Sequence, residues 1–176
     1  MKIIKWLLIV IVVLAVGLVG VGFLLPSKFR VERSAAINAP AEKVYGLIAD
    51  PRAWTRWTVW NKRDPAMKIV YSGAPTGVGA KWSWESKSEG NGAMEFTRAD
   101  SPRVVEFNLA FPDMGMNSKG SVTLETSGAS TRVTWANYGD LGGNPLVRYF
   151  GLVMDAMVGP DFEAGLAGLK ALAEKP

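Results

Sequence analysis

Side chains able to move a proton or attack a carbonyl are scarce in this sequence. Histidine and cysteine are both absent from its 176 residues. That removes the commonest general base, the usual nitrogen and sulfur metal ligands and any thiol nucleophile. Acid–base work would fall to Asp, Glu, Lys or Tyr at a tuned pKa. Glu85, Glu95 and Glu106 share their parity with Lys81 and Asn108, in runs whose other parity is apolar, so they belong on a solvent face. Two polar side chains share the apolar parity instead, Arg98 and Asn137. They are candidate ligand contacts, or else strand-end residues where parity no longer implies burial. Asp155 and Asp161 fall in a helical stretch, either near a binding site or paired with neighbouring basic groups. No nucleophile elbow, P-loop, dinucleotide fingerprint or metal-ligand cluster occurs. No catalytic residue, cofactor or metal is therefore expected, and enzymatic activity is left open.

The sequence offers large apolar side chains in greater supply. Trp82 and Trp84 alternate with polar residues, as do Met94 and Phe96, then Phe107, Leu109 and Phe111, and later Trp135. Period-two alternation of this kind describes strands with one buried and one wet face. Further along, Phe150, Met154, Met157, Phe162, Leu166, Leu169 and Leu172 recur at helical spacing. Sheet face and helix stripe together supply either a solid core or the lining of a site for an apolar molecule.

The elements that would position these residues follow from the breakers. A strand is expected over 30–38. Pro40 then suits the first turn of a helix capped by Asn38 or Ala39, carrying Val44, Leu47 and Ile48. Asp50-Pro51 stops that helix and starts a second short one through Trp54 and Trp57, which either pack, cover one end of a cavity or face a membrane. Strands are expected over 67–72, 81–87, 93–99, 103–111, 119–126 and 131–138, separated by Gly-, Asn- and Pro-rich turns. Asn144-Pro145 opens the long final helix, which Gly159-Pro160 should bend. The class is α+β: an antiparallel meander covered on one side.

The amino-terminal stretch is of another kind. From Trp6 to Leu25 there is no charge, and about twenty residues of helix reach roughly 30 Å, the thickness of a bilayer's hydrocarbon core. A cleaved signal peptide would have a shorter apolar region and a small-residue cleavage site. We read residues 1–27 as a retained single-pass anchor and 28–176 as one domain. Lys2, Lys5 and the amino terminus on one flank balance Lys28, Arg30 and Arg33 on the other, so the side that carries the domain is undecided. Lys2 and Lys5 also account for two of the net +4 charges: 20 Lys and Arg less those two, against 16 Asp and Glu, leaves +2. With no basic cluster, nucleic acid is not an expected partner.

The run from Arg33 to Trp57, with Ala39-Pro40-Ala41-Glu42 before Val44-Tyr45 and then Asp50-Pro51, resembles the opening of the START-like domains of the SRPBCC superfamily, in its polyketide cyclase/dehydrase branch. Gly77-Val78-Gly79-Ala80-Lys81-Trp82-Ser83-Trp84 looks like that family's glycine-rich lead-in to a strand, and Met154–Leu172 like its closing helix. The resemblance implies a helix-grip fold, a sheet curled around a long kinked C-terminal helix with a cavity between them. On that expectation the lining comprises Trp82, Trp84, Met94, Phe96, Arg98, Phe107, Leu109, Phe111, Trp135 and Asn137 from the sheet. Phe150, Met154, Met157 and Phe162 would come from the helix. The expected ligand is a lipid or other apolar small molecule, and the expected partner surface a membrane reached through residues 6–25. A cyclase/dehydratase-like enzyme and a ligand-free interaction module are the alternatives.

Overall fold

A computed structural model describes residues 2–175. The amino terminus, counted above as a flanking charge, and Pro176, the last residue of the expected domain, lie outside that range. Helix α1 (Lys2–Leu24) leads directly into the domain. Strand β1 (Lys28–Ile37) is followed by three short helices, α2 (Ala41–Ile48), α3 (Pro51–Trp57) and α4 (Trp60–Arg63). The meander β2 (Lys68–Gly73), β3 (Ala80–Glu85), β4 (Gly92–Asp100), β5 (Val104–Phe111), β6 (Met116–Ser127) and β7 (Ser130–Asp140) comes next, then α5 (Pro145–Ala173).

The seven strands form one antiparallel sheet in the order β1-β7-β6-β5-β4-β3-β2, as the alternating pattern requires. Only β1 is out of sequence order, docking beside β7 across the first and last strands of the domain. One face carries the core: Val31, Ile37, Phe96, Val105, Phe107, Val122, Val133 and Trp135 are buried there beneath α2, α3 and α5. We call it the inner face.

Local chemistry explains the helix boundaries. Asp50 accepts a hydrogen bond from the Arg52 amide at 2.8 Å and Pro51 takes the first turn of α3, so one residue ends α2's neighbourhood and caps the next helix. The cap of α2 is Pro40 rather than Asn38 or Ala39, and no side chain serves it. Asn144 caps α5 by accepting from the Leu146 amide at 3.0 Å. Pro160 lies inside α5 and has no N–H to donate, so the helix continues with one bond missing from its ladder. Helix α4 was not expected; its four residues are too short a run to show periodicity.

α5 reaches the sheet mainly along β1. Arg33 joins the two: its guanidinium donates to Asp155 at 2.8 Å and to Glu163 at 2.6 Å. Gly159 leaves room for that guanidinium, since a methyl group there would collide with it. Farther along, a side chain at Gly165 would run into the Trp135 ring of β7, and one at Gly168, where α3 crosses α5, into the Trp57 carbonyl. α1 does not stand free either. Its last turns pack against the first turns of α5.

Candidate functional site

The inner face is paved with aromatic rings. Trp54 sits at the centre, 4.7 Å from Trp57, 5.5 Å from Trp82, 5.6 Å from Phe107 and 5.6 Å from Trp135, ring centroid to centroid. Trp135 in turn stacks on Phe162 of α5 at 4.0 Å with the planes only 3° apart. Such pairs add about 0.5–1.5 kcal/mol each beyond the area they bury. The tryptophan donors are satisfied locally: Trp54 Nε1 donates to Ile48 O at 2.9 Å and Trp57 Nε1 to Leu47 O at 3.1 Å. Trp135 differs. Its Nε1 is buried with no hydrogen-bond partner among the described residues, a state that costs on the order of 1–3 kcal/mol.

Glycines let several rings lie flat on the sheet. A side chain at Gly92 would strike Trp84, one at Gly120 would strike Phe107, and one at Gly139 would strike Phe29. Beyond the tryptophan cluster the inner face is less completely covered. Trp84, Leu109 and Phe111 are half-buried there, with Trp84 and Phe111 in edge contact at 6.0 Å. The neighbouring inward rows carry a small polar pair, Asn137 Nδ2 donating to Ser118 Oγ at 3.0 Å, and Asn137 is only 9% exposed. The inward rows of the sheet hold Arg33, Tyr71, Ser118, Thr126, Thr131 and Asn137 as polar residues and no carboxylate. Burial pushes the Tyr71 phenol above its ordinary value, with the Arg52 guanidinium, 4.7 Å over the ring, opposing.

Helix α4 closes the cluster on one side. Trp60 donates to Asp161 at 3.0 Å, and Arg63 bridges Asp161 at 2.7 Å and Glu89 at 2.9 Å. Sequence reasoning missed Trp60 and Arg63, since nothing in that run has strand or helix periodicity. Asp161 and Asp155 are thus the paired acids rather than free groups at an opening. Asp155 is held below the usual carboxylate range by its hydrogen bond from Arg33.

Among the expected lining residues, Trp82, Met94, Phe96, Phe107, Trp135, Asn137 and Phe162 are buried together on this face. Trp84, Leu109 and Phe111 line the half-open strip, and Met154 is half-buried against the core. Three expectations are overturned. Arg98 is exposed on the outer face, donating to Asp100 and to Glu106 at 3.0 Å. A bulge between Phe96 and Arg98 inserts one extra residue and inverts the parity, so Arg98 lies opposite Glu106. Phe150 and Met157 are exposed, 58% and 64%, because they point away from the sheet while Met154 and Val158 of the same half of α5 pack against the core.

One depression, open and about 640 Å³, is lined by the outward Lys81, Glu95, Asn108, Lys119 and Tyr138 together with Trp82, Met94, Leu109 and Ser118 of the inward rows. Lys81 and Glu95 pair across it at 3.0 Å. The expected cavity between sheet and α5 is occupied over much of its extent by the tryptophan cluster.

An α+β sheet gripping a long terminal helix, with an aromatic inner face and a half-open apolar strip, defines a helix-grip-like binding domain. The chain belongs to the family described as polyketide cyclase / dehydrase and lipid transport, whose model matches residues 28–174. Solved structures of the same fold include a protein from Chromobacterium violaceum, 16% identical, covering 86% of this chain and 100% of that one with a TM-score of 0.58. A protein from Arthrobacter aurescens is 18% identical over 84% of this chain and 87% of its own, TM-score 0.60. The di-domain ARO/CYC protein BexL of the BE-7585A biosynthetic pathway is 14% identical over 85% of this chain and 51% of its own, TM-score 0.60. No curated protein matches the chain significantly.

Proposed function

We propose that this chain is a membrane-anchored ligand-binding domain, with α1 as the anchor and residues 28–176 as the domain, that holds a lipid or other apolar small molecule against the inner face. The observation that carries this reading is the half-buried strip of Trp84, Leu109 and Phe111, apolar on its walls, with the Asn137–Ser118 pair in the neighbouring inward rows. Binding sites for apolar ligands combine such walls with a few orienting polar groups. The buried Trp135 Nε1, without a partner among the described residues, supports it further, as a donor that a ligand's polar end can satisfy. A family description that joins cyclases with lipid transport agrees with the class of ligand. α1, a 22-residue span from Ile3 to Leu24 with Lys5 its one charge and little of its surface buried, keeps the site beside a supply of lipid.

The packed tryptophan cluster favours a second reading, an interaction module with a filled interior. Mass spectrometry of small molecules released from the purified full-length chain separates the two. A lipid or apolar metabolite retained through detergent exchange, and lost in Trp84→Ala, is the expected result. No retained molecule and no binding of a fluorescent fatty-acid analogue would sink the ligand reading and leave the module.

A further inference from the structure

α5 has two halves of opposite character, divided at Gly159-Pro160. After the division Phe162, Leu166, Leu169 and Ala173 are buried in the core. Before it, Leu146, Phe150, Val153 and Met157 follow at spacings of one helical stripe, with Leu152 beside them, and all five are between 45% and 64% exposed. From Pro145 to Val158 the charged residues are Arg148 and Asp155 alone, and both are engaged: Arg148 with α1 and Asp155 with Arg33. A soluble surface rarely carries an apolar stripe this long without a partner.

The contacts with α1 say what the partner is. Tyr149 Oη donates to Leu18 O at 2.7 Å. Arg148 Nη1 donates to Phe23 O at 3.0 Å and Leu25 O at 3.2 Å, satisfying carbonyls that the end of α1 leaves open. Gly22 permits the approach, because a side chain there would strike Pro145. Leu18 lies about 10 Å along the helix axis from Leu25 at roughly 1.5 Å per residue. If α1 spans a bilayer, the first turns of α5 are therefore held at the depth of its outer apolar turns. Phe23 and Leu24 at the end of α1 are exposed as well.

We infer that residues 145–157 of α5 form a second membrane-contacting element, lying in the interface with Leu146, Phe150, Val153 and Met157 among the acyl chains of a phospholipid bilayer. The inference rests on the anchor reading of α1 and deepens it: the domain is pressed onto the lipid surface in one orientation instead of swinging on a tether. An interfacial helix of this kind buries its apolar side roughly 5–10 Å into the headgroup and acyl boundary. Arg148 reaches back toward the end of α1, as a cation does when its stem lies in the apolar layer.

The absence of cysteine makes the test direct. Single cysteines at Phe150, at Leu14 of α1 and at Asn108 on the outer sheet face are labelled with an environment-sensitive fluorophore. The full chain is reconstituted in phosphatidylcholine vesicles carrying spin-labelled lipid. Strong quenching at positions 14 and 150 and none at 108 is expected. Quenching at 14 without quenching at 150 overturns the inference while the anchor stands, and if position 150 is then also shielded from aqueous iodide, a protein covers the stripe. No quenching at 14 removes the anchor and the inference with it. Met157→Cys, on the same stripe, repeats the measurement should F150C fail to fold.

Discussion

Trp135 concentrates the question of function in one side chain. Its ring is stacked on Phe162 and edge-packed by Trp54, Trp57 and Trp60, while its Nε1 is buried without a partner among the described residues. Core and site make different demands of it. Trp135→Ala opens a void under the whole cluster and should cost about 3–5 kcal/mol. Trp135→Phe keeps most of the stacking and removes an orphan donor, so its thermal midpoint should stay much closer to that of the wild type. If the ring serves only packing, ligand retention follows stability in both variants. If Nε1 orients a ligand, Trp135→Phe loses retained ligand while its unfolding midpoint, followed by near-ultraviolet circular dichroism in detergent, barely moves. Arg98 teaches the opposite lesson about reading residues. Strict alternation from Phe96 places it inward, and one inserted residue at the bulge sends it out to Glu106. Alternation does not mark such an insertion, because residues on either side of a bulge remain ordinary strand formers.

At the scale of elements, α5 is positioned by close approach and by charge, and each makes its own prediction. Helix propensity favours alanine over glycine by about 0.8–1 kcal/mol. At Gly168 the added methyl meets the Trp57 carbonyl, which is backbone and cannot swing aside. Gly168→Ala should therefore destabilise, by roughly 1–3 kcal/mol as overpacking does; a gain in the midpoint of urea unfolding would refute the close crossing. The charge clamp is Arg33 with Asp155 and Glu163. Asp155 titrates below its ordinary value chiefly because of the Arg33 hydrogen bond, and Glu174 does so chiefly because the Asn38 amide donates to it. A lowered folded-state pKa stabilises above the unfolded value, near 4, and that contribution is lost as pH falls through the folded value. The melting temperature should be flat near neutrality and fall below about pH 4. Arg33→Gln should lower the plateau and make the acid fall shallower. The strands, the turns and the covering helix were all legible as periodicities and breakers. Phe150 and Met157 were misplaced because a helical stripe announces only that a face is apolar. Whether a sheet, another helix or lipid covers it depends on which way the helix turns that face.

For the whole molecule, the same point decides how anchor and domain relate. Sequence divides the chain at residue 27, and the hydrogen bonds of Arg148 and Tyr149 cross that boundary. α1 and the first half of α5 expose their apolar side chains together, and the charge of the domain is close to balanced, so attraction to lipid would be apolar more than electrostatic. Removal of residues 1–26 tests this. A simple tether, once cut, releases a soluble domain. If α5 contacts lipid itself, the shortened chain should still float with phosphatidylcholine vesicles in a density gradient, and the binding should persist at high salt, which screens charge but not apolar burial. Replacing Phe150 and Leu152 together with serine should abolish flotation, while the exposed pair changes fold stability little, within about 0.5 kcal/mol for each surface site. Flotation unaffected by these substitutions would move the lipid contact elsewhere on the domain. A shortened chain that stays monomeric in solution and ignores vesicles would return α1 to the role of a plain anchor.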